Sequence, residues 1–124
     1  MKTFFLSLCI LLNLSFFDGE LHLPVLSLES TKIECGTVKK GSDFSKKVEF
    51  KNTGSSPLII TKCEGSCICT AVEWPKYAIQ PGKTESITIK YNTEMVGNFS
   101  KTVSIYSNNR DGVVELSVSG IVAE

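Results

Sequence analysis

The stretch KKVEFKNTGSSPLII, residues 46–60, decides the fold class. Val48 and Phe50 alternate with charged residues, so one face of this segment is apolar and the other is polar. That period of two is expected of a half-buried β-strand. The turn cluster NTGSSP at 52–57 ends the strand, and a second apolar run follows it. The stretch therefore predicts two short strands joined by a turn.

The same alternation recurs on both sides of this stretch. The other extended runs are LSLES, KIECGTV, ICTAVEW, SITIKY, GNFSKTVSIYSN and VVELSVSG. Pro81-Gly82 suits the centre of a type II turn, and Asp111-Gly112 is a strong hairpin signal. No window shows a sustained helical period. About seven to eight short strands in about 95 residues predict an all-β fold, an immunoglobulin-like β-sandwich.

Length and charge exclude several classes of protein. The chain has 124 residues, enough for one domain, and its apolar fraction of 42% is typical of a globular protein. Thirteen basic residues balance thirteen acidic ones, and the basic residues form no stripe beyond isolated lysine pairs. Nucleic-acid binding needs a positive surface that releases counterions. We therefore expect no nucleic-acid partner.

The N-terminus has the composition of an export signal. Lys2 supplies the charged start, and residues 4–17 form an apolar core of the length that such a signal uses. We predict a signal peptide at 1–19, with the cleavage site left open. Membrane attachment would require an uncleaved signal or a lipid on Cys9, whose preceding leucine does not fit a lipoprotein box.

Export sets the domain organisation and the compartment. We predict an N-terminal extension at 20–27, a sandwich domain at 28–124, and a location in the periplasm or at the cell surface. An even number of cysteines in an exported domain indicates disulfides first. Beyond the signal peptide four cysteines remain: Cys35, Cys63, Cys67 and Cys69.

Three of these cysteines lie in the segment CEGSCIC, residues 63–69. In a fully extended strand, Cys67 and Cys69 would have parallel side chains and Cα atoms about 6.6 Å apart, near the outer limit for a bridge. A Cys67–Cys69 bridge needs a tight turn, and the β-branched Ile68 resists positive φ. We therefore expect a weak, easily reduced bridge here. Cys63–Cys67 is a competing pairing.

Metal binding and redox chemistry are the alternatives to structural disulfides. Zinc or copper(I) accepts thiolates, but the chain has no Cys-x₂-Cys knuckle, and its only histidine, His22, lies near the signal junction. A reactive thiol needs nearby cations or a helix N-terminus, whereas Glu64 and Glu73 are acidic and no helix is predicted. One histidine also supports no catalytic triad, and no phosphate-binding glycine loop is present. We expect no catalytic residue, metal, cofactor or small-molecule substrate.

Four motifs together carry a resemblance to a known family. They are Asn52-Thr53-Gly54, Ser66-Cys67-x-Cys69-Thr70, Pro81-Gly82-Lys83 and Gly97-x-Phe99. From roughly Leu28 to Val122 the chain resembles the exported bacterial domains known as domain of unknown function 1573. The resemblance implies an immunoglobulin-like fold, akin to domains of sperm and cilia-associated proteins, in a Bacteroidetes-type bacterium. It implies no particular activity.

The chain departs from the family pattern at its cysteines. Ile68 stands where the family usually has glycine, and Cys35 and Cys63 stand where it usually has buried apolar residues. Because Cys35 and Cys63 belong to separate predicted strands, we expect a buried cross-strand bridge between them. Closing so long a loop would stabilise the fold by roughly 3–4 kcal/mol.

The favoured function is a non-enzymatic binding or assembly module of the cell envelope, with an envelope protein of unknown identity as its partner. The alternative is a periplasmic protein whose cysteines carry out redox chemistry or handle a metal. Trp74 and Tyr77 follow the cysteine cluster in a loop-like stretch and are candidate partner-binding residues. Trp74 can equally serve to cap the core, since aromatic side chains occur in both roles.

The export signal leads to a first prediction. N-terminal sequencing of the mature protein is expected to show a start between Phe16 and Leu21, because the apolar segment is removed on export. A soluble cytoplasmic product that retains Met1 would contradict this expectation and the disulfide interpretation with it.

Overall fold

The structure, a computed structural model, describes residues 22–124, so the predicted signal peptide lies outside the described residues. Those residues form eight strands: β1 (Leu26–Ser27), β2 (Lys32–Lys39), β3 (Phe44–Asn52), β4 (Ile60–Gly65), β5 (Thr70–Glu73), β6 (Thr84–Tyr91), β7 (Gly97–Ser107) and β8 (Val114–Ala123). Within this part of the chain, no helix is long and apolar enough to cross a membrane.

The strands form two four-stranded sheets that pack face to face. One sheet has the order β1-β3-β6-β5, and the other has the order β2-β8-β7-β4. Neighbouring strands are antiparallel, apart from the parallel pair of β2 and β8. The immunoglobulin-like β-sandwich predicted from the alternating pattern is therefore confirmed.

Apolar side chains from the inner faces of both sheets form the core. Val48 of β3 lies opposite Ile87 of β6, and Val103 of β7 lies opposite Leu116 of β8. All four are buried, three of them with no exposed surface. Burying an aliphatic side chain of this size contributes about 1.5–3 kcal/mol, so the alternation in sequence corresponds directly to the stabilising face of each strand.

One polar residue, Asn52 at the end of β3, is also fully buried. Its Oδ1 accepts hydrogen bonds from the backbone N–H of Val25 at 3.2 Å and of Gly54 at 3.0 Å. Its Nδ2 donates to the carbonyl oxygens of Ser56 at 2.8 Å and Ile79 at 2.9 Å. An amide offers two acceptor sites and two N–H donors, so its hydrogen-bonding capacity is filled. Asn52 therefore joins three separate segments at this end of the sandwich.

A second buried amide, Asn109, holds the start of β1. Its Oδ1 accepts from the N–H of Leu26 at 3.0 Å, and its Nδ2 donates to the carbonyl of Gly112 at 3.2 Å. Leu26 itself belongs to the buried core. The segment predicted as an extension thus supplies a strand of the sandwich, and the domain boundary predicted at residue 28 lies too late in the chain.

The turn after Asn52 generates a prediction for stability. A Cβ atom on Gly54 would collide with the backbone of residues 23–25, lying 2.6 Å from Val25 N. Backbone atoms cannot yield without displacing β1, so Gly54→Ala is expected to lower the free energy of unfolding by about 2–3 kcal/mol in urea denaturation.

Ser55→Ala is the matched control for this substitution. Ser55 is exposed in the same turn, so the change should stay within about 0.5 kcal/mol. A Gly54→Ala protein as stable as the wild type would show that residues 23–25 do not pack on the turn.

Candidate functional site

A groove of about 690 Å³ opens between β2 and β3 at one side of the sandwich. It exists because β1 is only two residues long and pairs with β3 at Lys51 and Asn52 alone. The chain then leaves this sheet and becomes β2 of the other sheet. Among the described residues, β3 before Lys51 therefore has a paired strand on one side only.

The backbone direction of β3 shows which of its groups face the groove. The N–H of Asn52 donates to the carbonyl of Lys83, and its own carbonyl accepts from the N–H of Gly82, so Asn52 faces β6. Residues along an antiparallel strand alternate in the direction of these groups. The N–H and C=O groups of Lys47 and Glu49 consequently face away from β6, where an added strand would lie.

The groove combines apolar walls with one inward-facing charge. Ile33 of β2 and the inner-face residues Val48 and Phe50 of β3 line it. The side chain of Lys46 lies on the same face of β3 as those of Val48 and Phe50. Lys46 pairs with the buried Ile89 of β6 and is itself exposed. An inward-facing lysine on an edge strand discourages indiscriminate strand pairing and offers a positive partner to a carboxylate.

Sequence reasoning missed this groove. The available signal was Lys46, a charged residue on the otherwise apolar face of β3. The alternating pattern shows which face of a strand is buried, but it does not show which strands lie at the edges of a sheet.

The structure brings together two of the four candidate cysteines. Cys67 and Cys69 form a disulfide with their Cα atoms 5.2 Å apart. Ile68 between them points fully into solvent. Among residues 22–124 no residue other than glycine has a positive φ. The pairing agrees with the sequence prediction. That prediction also expected a weak bridge because Ile68 would be forced towards positive φ, and this reason is wrong.

The predicted bridge between Cys35 and Cys63 is also wrong, because both are free thiols. They lie in β2 and β4, the two outer strands of one sheet. Three inter-strand spacings, about 14 Å, separate those strands, whereas a disulfide requires Cα atoms within about 7 Å. The alternative Cys63–Cys67 pairing is excluded because Cys67 is bonded to Cys69.

Each free thiol is half-buried and packs against the core. Burial raises the pKa of Cys63 to about 11, with Lys76 opposing the shift. Burial likewise raises the pKa of Cys35, and Lys46 opposes it. Protonated thiols of this kind behave as small apolar side chains and are poor nucleophiles. Within residues 22–124, no three His, Cys, Asp or Glu side chains lie close enough together to hold a metal.

The two aromatic candidates lie in the connection between β5 and β6 and have different environments. Trp74 is partly buried and packs against the hydrophobic core, with the Lys76 ammonium 2.9 Å from its ring centroid. Tyr77 is 58% exposed, and a hydrogen bond with Glu85 raises the pKa of its phenol. The packing favours a core role for Trp74, the second of its two expected roles, and Tyr77 is the more accessible of the two to a partner.

These environments predict different costs of truncation. Trp74→Ala should lower the free energy of unfolding by about 2 kcal/mol in urea denaturation, because it removes a ring that covers the core. The control Tyr77→Ala should stay within about 0.5 kcal/mol. Equal stabilities of the two variants would contradict the core role of Trp74.

Solved structures share this fold at low sequence identity. A protein of unknown function from Porphyromonas gingivalis W83 is 18% identical over 85% of this chain and 50% of that chain, with a TM-score of 0.72. The ASH/PapD-like domain 7 of human CEP192 is 9% identical over 80% of this chain and 85% of that chain, with a TM-score of 0.67. The YadV chaperone is 12% identical over 82% of this chain and 52% of that chain, with a TM-score of 0.59.

These likenesses establish the fold alone, and the chain spans about half the length of the Porphyromonas protein. No curated protein shows significant sequence similarity to it. A family model described as "Protein of unknown function (DUF1573)" matches residues 26–122, from the first strand to the last. The match confirms the resemblance carried by the four sequence motifs: the chain belongs to the DUF1573 family.

Proposed function

We propose that this chain is a non-enzymatic binding or assembly module of the bacterial cell envelope, and that it binds an extended segment of a partner protein beside β3. The observation that carries the proposal is the open edge of β3, where Lys47 and Glu49 direct their backbone groups into the groove. An extended peptide can add to such an edge through main-chain hydrogen bonds, with alternate side chains conferring specificity.

The groove specifies the chemistry of the partner segment. Side chains of the added strand that point inward would meet the apolar walls formed by Ile33 and Phe50. A carboxylate at the appropriate position would pair with Lys46. The lining also includes Lys47 and Lys51 beside Glu29 and Glu49, so the preference for a carboxylate on the partner segment rests on the inward-facing Lys46.

The envelope location rests on two further observations. The apolar N-terminal segment has the composition of an export signal, and the Cys67–Cys69 pair is oxidised. Disulfides persist in oxidising compartments such as the periplasm. Among the proteins of similar fold, YadV is described as a chaperone.

Two substitutions at Lys47 distinguish the contribution of its backbone N–H to binding from that of its side chain. Lys47→Pro removes the outward-facing N–H and should abolish strand addition, because proline cannot donate to a ladder. Lys47→Ala removes the same side chain but keeps the N–H, so it should retain binding. The measurement is quantitative mass spectrometry of proteins retained by each immobilised variant from an extract of the native cell envelope.

A partner of the edge should be retained by the wild type and Lys47→Ala and be at least about tenfold depleted on Lys47→Pro. Lys46→Gln should weaken the same interaction, because it removes the charge expected to pair with a carboxylate. Urea denaturation checks that Lys47→Pro remains folded. If the wild type and Lys47→Pro retain the same proteins in equal amounts, the edge of β3 is not the binding site.

A further inference from the structure

The Cys67–Cys69 disulfide lies at one end of the sandwich, in the loop between β4 and β5. Hydrogen bonds fix this loop on both sides. The N–H of Ser66 donates to the carbonyl of Thr102 at 2.8 Å, and the N–H of Asn92 donates to the carbonyl of Cys69 at 2.9 Å. The disulfide is therefore presented by an anchored loop between β7 and the start of the β6–β7 connection.

The surroundings of the disulfide leave room for another molecule. A cleft of about 330 Å³ adjoins Cys69, and its lining includes Ile68, Ala71 and Lys90. Ile68 is fully exposed between the two cysteines. Met95 and Val96 of the β6–β7 connection, which is hydrogen-bonded to this loop, are also exposed. Ile68, between the two cysteines, is therefore an apolar side chain that a partner protein can contact beside the cleft.

Thr70, the first residue of β5, contacts both sulfur atoms. Its Oγ1 lies 3.7 Å from Cys67 Sγ and 3.9 Å from Cys69 Sγ, within hydrogen-bonding reach for sulfur. Thr70 is buried, and its pairing with Tyr91 of β6 fixes its position. A hydroxyl group can donate to a thiolate, so Thr70 is placed to stabilise the sulfur that leaves when the disulfide opens.

We propose that Cys67 and Cys69 form an exchangeable redox couple that accepts two electrons from a dithiol of a partner protein. A thiolate of the partner attacks Cys69 Sγ from the cleft and forms a mixed disulfide. The Cys67–Cys69 bond breaks, and Cys67 leaves as a thiolate that Thr70 stabilises. The second thiolate of the partner attacks its own sulfur in the mixed disulfide, forms the partner's disulfide and releases Cys69. The partner loses two electrons and two protons, which the pair Cys67 and Cys69 gains.

The free cysteines do not compete in this exchange. Cys35 lies on the far outer strand of its sheet, and Cys63 is half-buried among core residues. Burial raises the pKa of both thiols, so both are poor nucleophiles. The couple therefore exchanges with an external dithiol rather than with Cys35 or Cys63 of the same chain.

This redox couple is independent of the proposed partner groove. The groove lining runs through β1, β2 and β3, and none of its residues lines the cleft beside Cys69. Loss of exchange would leave strand addition at β3 intact, and loss of strand addition would leave exchange intact. The two proposals can therefore fail separately.

The test follows the reduction of the folded, oxidised protein by dithiothreitol. Alkylation and mass spectrometry give the rate at which Cys67 and Cys69 appear as thiols, and Trp74 fluorescence reports unfolding. The Cys67–Cys69 disulfide is expected to open while the protein remains folded. Thr70→Val should slow this opening about fivefold, because the leaving thiolate loses its hydrogen bond. Thr70→Ser, which keeps the hydroxyl group, should react at the wild-type rate.

Thr61→Val is the matched control, because the hydroxyl of Thr61 in β4 donates to the carbonyl of Tyr106 in β7 and not to sulfur. Its rate should equal that of the wild type. In the reduced protein, Thr70→Val should also move the pH profile of iodoacetamide alkylation to higher pH. If Thr70→Val does not fold, Thr70→Ala takes its place. Opening only on unfolding, or equal rates for Thr70→Val and Thr61→Val, would overturn the proposal.

Discussion

The buried amide of Asn52 is the interaction on which the arrangement of this sandwich depends. It is enclosed at the end of β3 and reaches the approach to β1, the turn after β3 and the connection that carries Ile79. Without these partners, burying an amide costs several kcal/mol, so the three segments and the amide stabilise one another. The same contacts hold β1 against the end of β3, which leaves the rest of that strand edge open as a groove.

Local alternation was sufficient to predict the class of fold but not its edges. Val48 and Phe50 show the buried face of β3 from sequence alone, and the structure confirms it. Which strand lies beside β3 depends on long-range contacts, such as the hydrogen bond from Leu26 to Asn109. Because the alternating pattern carries no such information, sequence reasoning identified LSLES as an extended run but assigned residues 26–27 to an extension outside the sandwich, and it did not anticipate that β2 pairs in parallel with β8.

The cysteines show the same limit of sequence reasoning. The short Cys67–Cys69 pairing depends on local geometry and was predicted, although a tight turn proved possible with Ile68 at negative φ. The Cys35–Cys63 pairing depended on strand order, which places the two on opposite edges of one sheet. The open edge of β3 and the disulfide in the β4–β5 loop lie in different parts of the protein. Each feature can therefore be measured independently of the other.

The most direct test of this account is the free energy of unfolding of Asn52→Ala, measured by urea denaturation beside Asn92→Ala. Asn92 is an exposed amide whose Oδ1 accepts one hydrogen bond, from the N–H of Glu94. Loss of the four hydrogen bonds that this fully buried residue makes predicts that Asn52→Ala is less stable than the wild type by about 3–4 kcal/mol, against less than about 0.5 kcal/mol for Asn92→Ala. A loss below about 1 kcal/mol for Asn52→Ala would contradict the central role of its amide.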